Sequence, residues 1–184
     1  MKVYFEKATK KHLNIIFKWL SQDFVMEFWD NTQDHKDDII NFIEGRKTPS
    51  TYAEGKYIYW IASYEQNPFA MIMTIQETAD DNLGSIKLKR LSKTGHTYGL
   101  DYMIGNPDYF GKGYGARTLE EFLDFFRETI DPIADTFFID PEFDNPRAKH
   151  VYEKAGFVHV DDFLMKGECS GAGKFHHLLV KEFK

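Results

Sequence analysis

Apolar positions along the chain recur every three to four residues in some stretches and every second residue in others, and the switches lay out an ordered series of helices and strands. Residues 3–6 read as a short strand, after which Thr9 can cap a helix whose apolar face is Leu13, Ile16, Phe17 and Leu20. A second helix is predicted after Asp34, on Ile39, Phe42 and Ile43. Residues 56–62 and 69–76 are aromatic and β-branched runs joined by Glu65-Gln66-Asn67-Pro68, which predicts a hairpin, and a further strand covers 98–104. The charged stretch 80–95, with two glycines, reads as a loop or irregular structure. Leu119, Phe122, Leu123 and Phe126 then form the buried stripe of a long helix, residues 136–139 a strand, and Ala148, Val151, Tyr152 and Ala155 the stripe of another helix. Asn145 sits at the cap of that helix with Pro146 at its first position and Gly156 at its end. Two strands, 157–160 and 176–180, complete a β-α-α-β-β-β-α-β-α-β-β order. The predicted architecture is α/β (α+β): a mixed, mostly antiparallel central sheet of about six or seven strands with about four helices on its faces.

Composition narrows the class. With 184 residues, 42% hydrophobic and 16% aromatic, the chain is expected to be one domain spanning 1–184 with a packed core. No repeat or linker-like run divides it. Nothing at residues 1–6 resembles a signal peptide and no apolar run reaches bilayer length, so the expected location is the cytoplasm with no membrane partner. Cys169 is the only cysteine, which excludes an intramolecular disulfide and a cysteine-based zinc site. A net charge of −6 argues against a nucleic-acid partner and favours a small cationic or neutral substrate. Lys112, Arg117, Arg147, Lys149 and Lys154 still form a local basic set able to hold a polyanion.

The chemistry begins at Gly111-Lys112-Gly113-Tyr114-Gly115-Ala116, which opens the long helix. Glycines let main-chain N–H groups approach a phosphate at a helix N-terminus, where the macrodipole adds about half a positive charge. A Gly-rich turn that merely starts a helix is the plain alternative. A nucleotide P-loop is excluded, because Gly113 is followed by Tyr114 rather than by Lys and Ser or Thr. One strand and one helix later come Asn145-Pro146-Arg147-Ala148 and Tyr152-Glu153-Lys154-Ala155-Gly156-Phe157. This pairing of a Gly-x-Gly loop with Asn-x-x-Ala-x-x-x-Tyr-x-Lys-x-Gly-Phe resembles the GNAT superfamily of N-acetyltransferases. Phe110 stands where that family usually has Gln or Arg.

The resemblance implies acetyl-coenzyme A as cofactor and direct attack of a neutral amine on the thioester, with no covalent intermediate and Cys169 a bystander. It places the cofactor against Met103, Ile104, Phe110, Gly111, Lys112, Gly113, Tyr114, Gly115, Ala116, Asn145, Ala148, Tyr152 and Lys154. Tyr152 would protonate the leaving thiolate, and its position in an apolar stripe gives core packing as its plain reading; the two are compatible. Asn145 would bond the pantetheine arm, or serve only as an N-cap.

A narrower resemblance is to aminoglycoside 6′-N-acetyltransferases and related siderophore-type acetyltransferases. Trp19-Leu20 and Val25-Met26-Glu27-Phe28-Trp29 look like segments that wall the acceptor site there, and Trp29 is the candidate substrate contact. Gly99-Leu100-Asp101 and Asp140-Pro141 stand where those enzymes carry the aspartates that bind the cationic sugar and help deprotonate its amine. Asp101 and Asp140 are therefore candidate catalytic and substrate-binding residues; a strand-end cap and a solvated charge are their plain readings. The partner implied is a small-molecule amine, with the chain a monomer or a homodimer. A siderophore-precursor N-hydroxy-amine as acceptor, or a non-catalytic acyl-coenzyme A sensor, are the alternatives. His176 and His177 point to opposite faces of a strand, and His150 and His159 have no ligand partner at a recognisable spacing, so no metal site is expected.

Overall fold

The computed structural model describes residues 2–81, 83–166 and 172–184; Cys169 lies outside them. Among the described residues seven strands, β1 (Tyr4–Lys7), β2 (Ile58–Tyr64), β3 (Asn67–Glu77), β4 (His96–Ile104), β5 (Ala134–Ile139), β6 (Val158–Leu164) and β7 (Phe175–Glu182), follow the order β1-β2-β3-β4-β5-β7-β6 in a mixed sheet. Among the described residues six α-helices accompany it, two of them four residues long. The strand count meets expectation, and the two extra helices are pieces too short to show a helical period. The chain divides into two compact units, Met1–Thr74 with Tyr102–Lys112, and Ile75–Asp101 with Gly113–Lys184.

In the first unit β1 (Tyr4–Lys7) pairs antiparallel with β2 (Ile58–Tyr64), and β2 with β3 (Asn67–Glu77). The β2–β3 loop is only Glu65 and Gln66, both at positive φ (48° and 65°), the geometry of a tight hairpin turn. Pro68 falls inside β3, opposite Ser63 at a register shift, where a missing N–H costs the ladder least. β2 and β3 are buried on both faces, so their residues form continuous apolar runs. Helix α1 (Leu13–Leu20) buries Ile16, Trp19 and Leu20 against Tyr59, Ile61, Met71 and Met73. A short α2 (Asp23–Met26) follows, then α3 (Gln33–Ile43), which adds Ile39 to the same core. Thr32, ahead of the expected Asp34, caps α3 by accepting from the His35 N–H at 3.3 Å.

In the second unit β4 (His96–Ile104) runs parallel to β5 (Ala134–Ile139) over residues 96–100. β7 (Phe175–Glu182) pairs antiparallel with both β5 and β6 (Val158–Leu164). β6 extends four residues past the expected end, because its polar Asp161 and Asp162 hide a strand that the ladder to β7 holds in place. Helix α5 (Tyr114–Phe125) buries Thr118, Leu119, Phe122 and Leu123, and a π-helical turn continues it through Phe126–Ile130. Phe126 packs edge-on against Tyr98 and Phe137, at centroid distances of 4.8 and 5.9 Å. Helix α6 (Pro146–Lys154) starts at the expected cap and proline.

The described residues of the stretch 80–95 are mostly turns and bends, as expected, with one short helix set among them. That helix is α4 (Ser85–Leu88), anchored by Ile86 and Leu91 against Phe138, Leu178 and Val180.

Candidate functional site

The β4–β5 pairing ends at Leu100↔Ile139, and the next residue on each strand is an aspartate, Asp101 and Asp140. Parallel register thus carries two carboxylates to the point where the β4–β5 pairing ends, Asp101 within β4 and Asp140 just past β5. Glu77, the last residue of β3, reaches the same place, with its side chain 10% exposed. A β-carbon built on Gly99 would lie 2.8 Å from Glu77 Oε1, so the bare glycine makes room for that carboxylate. From α4, Lys87 brings its Nζ to 3.5 Å from Asp140 Oδ2 and 4.0 Å from Glu77 Oε1. The Lys87 side chain is 18% exposed, and its ammonium also lies 5.7 Å from the centre of the Phe163 ring.

The electrostatics follow from one cation among three acids. Burial disfavours the charged form of Lys87, yet Asp140, Glu77 and Asp101 outweigh it and hold the ammonium above its ordinary range. Glu77 is pushed up by burial; Lys87 opposes this, and Asp140, Asp81 and Asp101 add to it. A carboxyl raised toward neutrality in a cluster of charges suits proton transfer. Asp101 and Asp140 are legible from sequence; Glu77 and Lys87 are not. Only Gly99, two residues before Asp101 and on its face of the strand, hints at a close neighbour.

At the start of α5, Gly111 and Gly113 take φ of 69° and 80°, the left-handed region that glycine alone adopts without strain. A β-carbon at either would meet nothing within 4 Å. The N-cap of α5 is Gly113, which has no side chain to occupy the helix N-terminus, a place that suits a diphosphate. Gly115 is glycine for another reason: a β-carbon there would come within 2.9 Å of Val151 Cγ1 on α6. Phe110 packs edge-to-face on Phe24 at 5.1 Å, a packing role for the residue at the family's Gln/Arg position. Lys112, Arg147 and Lys154 are exposed, whereas Tyr114, Ala116 and Ala148 are half-buried.

Asn145 caps α6 by accepting from the Ala148 N–H at 3.1 Å, leaving its amide N–H₂ as a donor group. Tyr152 is 7% exposed on α6. Met103 and Ile104 close β4, with Met103 buried in the first unit's core. Trp29 is half-buried against that core. Trp19 is core throughout, at 3% exposure, and a β-carbon on Gly105 would fall 2.1 Å from its ring.

A family profile described as an acetyltransferase (GNAT) domain matches residues 8–165. The chain belongs to that family. As a GNAT member it is an acetyltransferase, and its cofactor is acetyl-coenzyme A. Among curated relatives it is similar to an aminoglycoside N(6′)-acetyltransferase type 1 of Klebsiella pneumoniae, 23% identical over 149 residues, covering 81% of this chain and 70% of the relative. Among solved structures it is similar to an aminoglycoside N(6′)-acetyltransferase of Legionella pneumophila, with a TM-score of 0.74, 22% identity and coverage of 99% and 94%. A second, an aminoglycoside acetyltransferase in complex with coenzyme A and kanamycin, matches with a TM-score of 0.73, 20% identity and coverage of 98% and 95%. No helix among the described residues is long and apolar enough to cross a membrane.

Proposed function

We propose that this GNAT enzyme acetylates a primary amine on a small polycationic acceptor, with an aminoglycoside of the kanamycin type as the leading case. The observation that carries the reading is the imbalance of charge where the β4–β5 pairing ends. Glu77, Asp101 and Asp140 gather around one ammonium, Lys87, leaving more negative than positive charge when all are ionised. Such a cluster attracts an acceptor with several ammonium groups and orients one amine for attack.

Bound acetyl-coenzyme A supplies a thioester carbonyl open to an amine. The N–H groups from Gly111 to Ala116 would hold its diphosphate, Lys112 would add charge at the rim, and the Asn145 amide would donate to the pantetheine arm. Asp101 and Asp140 would hold the acceptor's ammonium groups. Glu77, already raised above the ordinary range, would take the proton that the attacking amine must lose, directly or through one water. Tyr152 would return a proton to the departing thiolate.

The test is thiol release from acetyl-coenzyme A with kanamycin, spermidine, N-hydroxylysine and a lysine peptide offered separately. Kanamycin should give the highest kcat/KM, and Asp101→Asn and Asp140→Asn should each raise its KM by about tenfold or more, the loss expected for a charge-assisted contact. Release with N-hydroxylysine alone would move the enzyme to the siderophore-type reaction. Cofactor binding without release from any acceptor would leave a sensor.

A further inference from the structure

A second cluster of chemistry-bearing side chains stands on the outer hairpin of the sheet, built from residues whose sequence spacing suggests no site. Asp162 on β6 faces His177 on β7 in the ladder register. In a regular strand His159, three residues before Asp162, would point to the opposite face. The register shift between His159 and Asp161 inserts an extra residue, which reverses that parity and brings His159 round to join them. His159 Nε2 and His177 Nδ1 each lie 2.7 Å from the same Asp162 Oδ1, and the three donor atoms all fall within 4.8 Å of one another.

The trio is held before any ligand arrives. The His177 ring stacks on Phe143 at 4.0 Å and is 15% exposed, and the His159 ring meets it edge-on at 5.0 Å. His159 and Asp162 are more open, at 34% and 43%. Hydrogen bonding by itself crowds two imidazole nitrogens onto one carboxylate oxygen. A cation among the three would use both lone pairs and the carboxylate charge together.

We infer that His159, Asp162 and His177 form a zinc site that fastens the edge strand β6 to β7. Two imidazole nitrogens and one carboxylate oxygen suit zinc, and three protein ligands leave a fourth position for water. Ligands about 2.1 Å from a tetrahedral ion stand ~3.4 Å apart. Small rotations of the two exposed side chains, with His177 as the fixed post, reach that spacing. Zinc there ties down a strand edge that is otherwise open to solvent, and it stabilises the fold by binding the native form.

The experiment is calorimetric titration of zinc chloride into tag-free, chelator-treated full-length protein, with thermal unfolding followed with and without the ion. One zinc per chain and a zinc-dependent rise in Tm are expected. His159→Gln, Asp162→Asn and His177→Ala should each weaken zinc binding by at least about tenfold and remove the Tm rise, while His150→Gln binds as the parent does. Acetyl-coenzyme A binding reports that each variant is folded; should His177→Ala fail that check, exposed His159→Gln carries the test. No uptake by the parent protein, or equal uptake by the parent and the His159 and Asp162 variants, overturns the site.

Discussion

Each unit of this chain holds an acid–base cluster, one buried and one partly exposed, and the two are built on opposite principles. In the first unit Asp38, with its side chain fully buried, accepts from Tyr59 Oη at 2.7 Å and is paired with Arg46, which also donates to the Tyr57 carbonyl. Burial, reinforced by the hydrogen bond to Asp38, pushes the Tyr59 hydroxyl well above its ordinary range and keeps it a neutral donor. His35 stacks on Tyr52 at 4.6 Å beside this cluster, and burial holds it below its ordinary range. One carboxylate is matched in charge by one guanidinium, and each of its oxygens accepts one hydrogen bond. In the second unit one ammonium, Lys87, lies 3.5 Å from Asp140 and 4.0 Å from Glu77, and Asp101 acts on it through its charge. The lesson is that burial of charge alone does not mark a site. Under the proposed function the loosely paired acidic set takes a ligand and the matched one has a structural role.

Substitution at the two clusters should therefore affect different quantities. The largest effect is expected at Glu77→Gln, which should lower kcat by about 10²–10⁴-fold, the usual worth of a positioned general base, while the protein still folds. The sign of its pH dependence follows from the raised carboxyl. A folded-state pKa above the ordinary 4.5 means that Glu77's contribution to stability is fully present below 4.5 and is lost as pH rises through the folded value. Parent and variant should thus have equal Tm in acid, with the variant gaining at neutral pH. The parent's kcat should rise through the same interval, and that acidic limb should vanish in the variant. Thermal melts and rate profiles from pH 4 to 8 check both.

Next comes Asp38→Ala. It leaves Arg46 and Tyr59 without their buried partner and should cost about 3–5 kcal/mol of stability in denaturant unfolding, with kcat of the folded enzyme unchanged. If kcat fell as sharply as for Glu77→Gln, the contrast between the clusters would be wrong. The smallest effect belongs to Lys87→Met, which removes the cation already in the acceptor cluster. The KM for a polycationic amine should drop by about fivefold, equivalent to roughly 1 kcal/mol for a partly exposed ion pair. An unchanged or higher KM would mean that Lys87 helps to bind the acceptor rather than standing in for it.

Long amphipathic elements are legible in the amino-acid order. The stripes of α1, α5 and α6 carry their own period, and Asn145 with Pro146 announces a helix start by local chemistry alone. Gly111 and Gly113 likewise show their role, because the constraint on φ is local. Legibility fails where the deciding contact is remote. Helix α4, four residues long, has no period to read and is held by Ile86 and Leu91 against β5 and β7. Trp19, which in line looks like part of an acceptor-site wall, is core because Gly105 receives its ring. The second half of β6 is hidden by its exposed polar residues.

The amino-acid order by itself determined the family, the sequence of elements and the turn and cap chemistry, and it named Asp101 and Asp140 as candidates, since each of these rests on neighbours a few residues apart or on a motif read in line. Tertiary structure alone decided that Glu77 and Lys87 join those aspartates, and that a one-residue register shift turns His159 toward Asp162 and His177. Strand pairing and register set which side chains meet, and they depend on hydrogen bonds between segments tens of residues apart, for which a linear pattern holds no phase.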